Sequence, residues 1–198
     1  MQIDRWDILS IIFWGSAAFV LGYIITCIAR RKRQPLFTVR NAALLVFCCY
    51  GAALLYLTGL LELILYPEQM RVHSLLENFR WTPFRGHWFL PIMQNFFLFV
   101  PLGFLVPSVT PKLRWNLWKA TLLGFGVSAA VELLQGLIGR VQEMDDIIAN
   151  TCGAAAGFLL WAALFRRGWK TWQRVLVILL TVVLSYAGLR GVQYLCKL

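Results

Sequence analysis

Charge is scarce in this sequence. Only 14% of its residues are Asp, Glu, Lys or Arg, while 60% are hydrophobic. A soluble domain of comparable size needs more charge to cover its surface, so the deficit argues against an ordinary soluble globule. Histidine is nearly missing. His73 and His87 both fall in one stretch between apolar blocks, and no nucleophile stands at a plausible spacing from a base. Cysteines with zinc-ligand spacing are absent: Cys27, Cys48, Cys49, Cys152 and Cys196 lie within or at the ends of apolar blocks and read as small buried hydrophobes. There is no Gly-rich phosphate loop, no repeat and no low-complexity segment. No soluble segment interleaves basic residues with stacking aromatics, which argues against nucleic acid as a partner. No spacing demands a metal or another cofactor.

What is present is apolar sequence in long runs. A helix crosses a bilayer with about 20 residues at a rise of about 1.5 Å each. Six blocks reach that length: 8–29, 41–65, 89–107, 117–138, 147–165 and 175–195. Pro101 interrupts the third, and the sixth carries Arg190 near enough to its end to snorkel. Most of the blocks lack the polar face of a soluble amphipathic helix. The expected fold is all-α, a polytopic integral membrane helix bundle of about six transmembrane spans, forming one domain over residues 1–198. Asp4 and Asp7 stand where a signal peptide would be basic, so the first block reads as a span and not a cleaved leader.

The net charge of +10 is distributed unevenly. Arg30, Arg31, Lys32, Arg33 and Arg40 follow the first block; Lys112 and Arg114 follow the third, with Lys119 just inside the fourth; Arg166, Arg167, Lys170 and Arg174 follow the fifth. No acid accompanies them. The alternate segments carry Asp4 and Asp7, Glu68 and Glu77, and Glu143, Asp145 and Asp146. The positive-inside rule then places the basic loops in the cytoplasm and both termini outside. The segment 66–88 mixes Arg71, Arg80 and Arg85 with Phe79, Trp81, Phe84 and Trp88. Two readings stay open for it. One is an interfacial segment among lipid headgroups, with Arg80, Trp81, Phe84 and Arg85 in contact; the other is an aromatic belt that anchors the neighbouring spans.

Polar residues inside three blocks mark a candidate site: Asn95 in the third, Glu132 and Gln135 in the fourth, and Asn150 in the fifth, with Arg140, Asp145 and Asp146 in the intervening turn. Asn95 and Glu132 each lie six positions from the outer end of their block, about 9 Å deep, and Asn150 about 5 Å deep. Glu132 and Gln135 share one helix face, and Asp146 and Asn150 another. The short connection after Ile138 makes the fourth and fifth blocks antiparallel neighbours. Ala149, Gly153 and Gly157 form a small-residue stripe that permits close approach and would bring Asp146 and Asn150 towards Glu132 and Arg140. An intramembrane carboxylate is costly and points to function by default. Arg140 is the expected partner of Glu132. A purely structural salt-bridge network is the competing reading.

At these residues the sequence resembles the VanZ-like family of membrane proteins. Residues 95–104 read NFFLFVPLGF and look like the family's Asn, Leu-Phe, Pro, Gly signature. Glu132, Gln135, Arg140, Asp145, Asp146, Asn150, Gly153 and Gly157 follow the order and spacing of its second signature. The resemblance covers roughly residues 81–165. One departure is Arg80, which stands where the family often has an Asn three residues before Pro83 and Phe84. The resemblance implies a multi-pass bacterial cytoplasmic-membrane protein associated with teicoplanin resistance. It implies no particular reaction.

Three functions fit. The first is a binding protein whose outward polar cleft, lined by Asn95, Glu132, Gln135, Arg140, Asp145, Asp146 and Asn150, holds a lipid-linked cell-wall precursor or a lipoglycopeptide among membrane lipids, with Arg140 forking onto a phosphate or carboxylate. The second is a membrane enzyme acting on a lipid-linked envelope precursor, with Glu132 or Asp146 as its catalytic base. The third is a small transporter using Glu132 as a proton relay, although the inner halves of the spans carry no matching polar residues.

Overall fold

A computed structural model of the protein describes residues 5–30, 39–61, 79–82 and 89–165, with residues 173, 176, 180, 181 and 183 beyond them. Among these, five helices carry the fold: α1 (Arg5–Arg30), α2 (Val39–Leu57), α3 (Phe89–Val109), α4 (Leu117–Leu137) and α5 (Met144–Phe165). The last three are long and apolar enough to cross a membrane; α1 and α2 contribute the shorter apolar stretches Ile11–Ile25 and Asn41–Leu57. Expected blocks 89–107, 117–138 and 147–165 therefore correspond to full helices. Most of 175–195 lies outside the described residues, as do Phe84, Arg85 and both histidines. The count of six spans thus rests on composition, and the structure establishes a mainly helical chain with three membrane-length helices.

The central helix is α3. It buries Leu98, Phe99, Leu102, Phe104 and Leu105, packing against α2 on one side and α5 on the other. Pro101 and Pro107 lie inside it without ending it, contrary to the expected interruption; in a bundle, neighbouring helices compensate for the backbone bonds that proline removes. Tyr50 of α2 donates its hydroxyl to the Leu98 carbonyl at 3.0 Å. The stripe of Gly153 and Gly157 packs on α3 and not on α4: a Cβ at Gly153 would strike the Phe96 carbonyl, and one at Gly157 the Val100 carbonyl. The α4–α5 approach is made possible by Gly124 instead, which sits against the Ala154 side chain. Outward, α4 exposes Trp118, Leu122, Phe125 and Leu133, and α5 exposes Leu159 and Leu160. An apolar surface of this extent needs lipid or a partner to cover it.

Three local features depart from expectation. First, α2 stops at Leu57, inside the expected block 41–65, of which residues 62–65 lie outside the described residues. Gly59 takes a left-handed φ of +78°, and its N–H closes on the Tyr56 carbonyl. Second, a two-stranded parallel pairing joins β1 (Phe79–Arg80) to β2 (Gln142–Glu143), a strand element that an all-α reading lacks; two-residue strands leave no periodicity to detect. Third, Cys152 is exposed on α5, and Cys48 and Cys49 are only partly buried, so these three thiols are not core hydrophobes.

Candidate functional site

The site lies at the end of the bundle where α4 finishes, α5 begins and α2 breaks. Three elements converge there because their chain ends meet. The α4–α5 connection turns at Gly139, whose φ is +74°. It then folds back on α4 through Glu132: the Glu143 N–H donates to the Glu132 carboxylate at 3.1 Å, and the Gln142 amide donates to the Glu132 backbone carbonyl at 2.8 Å. Gly136 leaves the space that the Gln142 side chain fills. Glu132 and Gln142 are almost completely buried.

A second polar layer lies one helical turn deeper. Asn150 donates to the Ser128 hydroxyl at 2.9 Å, and both residues are buried. Ser128 and Glu132 are four apart on α4; Asn150 and Asp146 are four apart on α5. In antiparallel helices these are consecutive rungs, so Glu132 faces Asp146 as Ser128 faces Asn150. The two carboxylates interact electrostatically, and Asn95 of α3 hydrogen-bonds Asp146.

Arg140 departs from the expected pairing with Glu132. It donates Nη1 to the Thr58 carbonyl at 2.7 Å, and Gln135 donates to the same oxygen at 2.9 Å. That carbonyl is free for them because α2 breaks there. Its position at a helix C-terminus also carries the negative end of the macrodipole, which favours a guanidinium. The residue itself is exposed. Its charge acts on Glu132 and Asp146 without a direct ion pair to either. The ion pair found among the described residues is Arg80–Glu143, 2.8 Å long, linking β1 to β2. Beside it lies a cavity of about 300 Å³ lined by Arg80, Thr82, Glu143, Met144 and Asp145.

The structure thus gathers Asn95, Glu132, Gln135, Arg140, Asp145, Asp146 and Asn150 at one end of the bundle, with Arg80 of the 66–88 segment beside them. Trp81 is exposed and packs its ring on Phe79 at 4.2 Å. Sequence reasoning missed Thr58, Ser128 and Gln142. A signal existed for the first: Gly59 directly after Thr58 is a helix-stop pattern. Ser128 falls four before Glu132 on the same face. Nothing marks Gln142. Among the described residues, no three His, Cys, Asp or Glu side chains gather as a metal cluster would.

Two substitutions separate the structural contributions. Glu132→Leu leaves the Glu143 N–H without its acceptor and should cost about 1–3 kcal/mol. Glu132→Gln keeps an acceptor oxygen and should cost less, the order being read from thermal unfolding of the purified protein. Arg80→Ala should cost no more than about 1 kcal/mol in the same assay, because Arg80 is 68% exposed and its pair is solvent-screened.

A family model described as VanZ/LLP1 matches residues 47–167, which takes in most of α2 together with α3, α4 and α5 and so the whole site. The match starts well before residue 81 and includes Thr58. No curated protein and no solved structure matches the chain.

Proposed function

The chain belongs to the VanZ/LLP1 family, and from that premise we propose that it acts by binding, at an outward-facing polar site in the bacterial cytoplasmic membrane, the polar group of a lipid-linked envelope component or a lipophilic glycopeptide antibiotic. In this reading it is a multi-pass protein with basic loops in the cytoplasm and both termini outside, and its physiological effect is on teicoplanin susceptibility. The observation that carries the reading is the exposed Arg140, fixed by the Thr58 carbonyl at the broken end of α2 and flanked by amides and carboxylates from three helices. A guanidinium held by one nitrogen can still offer donors to a phosphate or carboxylate in a fixed direction. Trp81 and the surrounding lipid-facing surface suit the apolar part of such a ligand. Expression of the protein and of Arg140→Ala in a glycopeptide-challenged host tests this. The expected result is lower teicoplanin susceptibility with the parent protein and susceptibility restored to the host's level with the variant at equal membrane abundance. Unchanged susceptibility for both Arg140→Ala and Glu132→Ala sinks it.

The facing carboxylates Glu132 and Asp146 favour one second reading, acid–base chemistry on a lipid-linked precursor. Mass spectrometry of envelope lipids with and without the protein decides it, since catalysis requires a lipid species that appears or disappears.

A further inference from the structure

The connection between α3 and α4 stands at the opposite end of the bundle from the Arg140 site, about 30 Å away along α4. It is short and tightly bonded. Pro111–Leu113 forms one 3-10 turn, the Trp115 indole donates to the Thr110 hydroxyl at 2.9 Å, and the Asn116 side chain accepts from the Lys119 backbone N–H at 2.9 Å. The Lys119 ammonium lies on this turn, donating to the carbonyls of Leu113 at 3.1 Å and Arg114 at 3.3 Å. Arg114 closes the turn in a left-handed conformation, with φ of 46° and ψ of 68°. Glycine is the usual occupant of such a position because it has no Cβ to crowd the backbone. A long side chain kept there at a conformational cost asks for a use. Lys112, Arg114 and Lys119 are all exposed, and no acid occurs from residue 78 to residue 131.

The same end of α4 continues as an apolar face. Trp118, Leu122 and Phe125 are exposed and recur at intervals of four and three, so they line up beneath the turn over about 10 Å. Lys119 falls within about 120° of all three around the helix. Leu113 and Leu117 add exposed apolar surface beside the cations. Exposed cations alone need only water, and an exposed apolar face on a membrane-length helix needs only acyl chains. Here the two are continuous, and the helices on both sides of the turn are long and apolar enough to cross a membrane. The turn therefore lies at a bilayer surface, where the anions available to it are lipid headgroups. A zwitterionic headgroup brings an ammonium that the three cations repel, so the charge selects a headgroup with net negative charge. We infer that the α3–α4 turn binds one anionic phospholipid, its headgroup on Arg114 and Lys119 with Lys112 adding charge, and an acyl chain of the same molecule along Trp118, Leu122 and Phe125. The inference needs α3 and α4 to cross a membrane and nothing from the Arg140 site, so the two readings stand or fall separately.

The experiment uses the full chain in a neutral detergent, to which phosphatidylglycerol or phosphatidylcholine is added as mixed micelles. Phosphatidylglycerol should raise the apparent melting temperature saturably, and phosphatidylcholine should raise it much less. Arg114→Gly removes the left-handed strain, so in detergent alone it should melt no lower than the parent. It should nevertheless need about fivefold more phosphatidylglycerol for half of the stabilisation, the worth of one cation at an anionic surface. A residue kept only to shape the turn would show the first effect without the second. Lys119→Gln should show the same fivefold loss, and Arg167→Gln, in another basic loop, should not. Native mass spectrometry of the parent, purified from an equal mixture of the two lipids, should find phosphatidylglycerol retained in preference, a readout that does not depend on any variant folding. Retention of both lipids alike overturns the inference, as does an unchanged lipid dependence in Arg114→Gly or an equal loss in Arg167→Gln. An equal response to glycerol phosphate, which carries the anion without the chains, overturns it too. So does a melt that rises with protein concentration and ignores lipid, because a second copy of the chain then covers the face.

Discussion

Gly157→Ala should remove most of the folded protein. A Cβ at that position overlaps the Val100 carbonyl and crowds the Phe104 N–H, both backbone groups of α3 that no rotamer change can move aside. The contact is one of a series. Gly153 meets the Phe96 carbonyl, and Gly103 of α3 meets the Ala154 carbonyl of α5 from the other side. The two helices therefore touch backbone to backbone at three points, from Phe96 to Gly103 on α3 and from Gly153 to Gly157 on α5, and separating them at one point loosens the others. Helices in lipid gain no hydrophobic drive from associating, so packing of this kind is what holds them. Overpacking costs about 1–3 kcal/mol where side chains can yield, and a backbone obstruction should reach or exceed the upper figure. For a chain of this size, 3 kcal/mol corresponds to a fall of roughly 6–12 °C in melting temperature. Gly126→Ala is the control. It sits in α4 with nothing within 4 Å of the added atom, and a helical Gly→Ala change there should stabilise by about 0.5–1 kcal/mol. Thermal unfolding of both variants in one detergent checks the contrast, and a Gly157→Ala melt level with that of Gly126→Ala would mean that α3 and α5 stand further apart.

These glycines show how far the sequence could be read. Their spacing announced a close helix contact, but spacing on one helix does not name the partner. The partner turned out to be α3, at Phe96 and Val100, because Gly103 on α3 supplies the reciprocal gap, and that complementarity exists only in three dimensions. The long apolar runs of α3, α4 and α5 were legible almost to their ends, since hydrophobic length is a property of the chain alone. The end of α2 was not. Leu60, Leu61, Leu63, Ile64 and Leu65 continue the apolar run past Gly59 and mask the stop. The polar residues were legible as a group because burial of such side chains is exceptional in lipid, and their connections were not. Charge alone pairs Arg140 with Glu132. Arg140 reaches instead a neutral carbonyl from a helix whose break the sequence had hidden, and Glu132 is taken up by the backbone of its own connecting loop.

The Thr58 carbonyl yields the second large effect, and it should appear only in a double variant. Thr58 is 5% exposed, and its oxygen accepts both Gln135 Nε2 and Arg140 Nη1. Either donor alone keeps the oxygen satisfied. Gln135→Leu should therefore cost about 1 kcal/mol, the net value of a neutral hydrogen bond, and Arg140→Leu about 1.5–2 kcal/mol because its bond is charge-assisted. With both donors gone, a buried carbonyl at the end of α2 has no partner, and a further desolvation penalty of about 1–3 kcal/mol enters that neither single change incurs. The double variant should then be less stable than the two singles predict by a coupling of about 1 kcal/mol or more, well outside the range of independent sites. Thermal unfolding of the four proteins in one detergent measures that coupling. Additive losses would mean that Thr58 is not a shared anchor, and Arg140 would then lose the fixed direction on which its binding role depends. Gly59→Val approaches the same anchor from the other side. Its φ of +78° is strained for a β-branched residue, and an added Cβ lies 3.2 Å from Arg140 Nη1. That variant should lose both stability and the Arg140 contact, because the helix break and the guanidinium occupy one another's space.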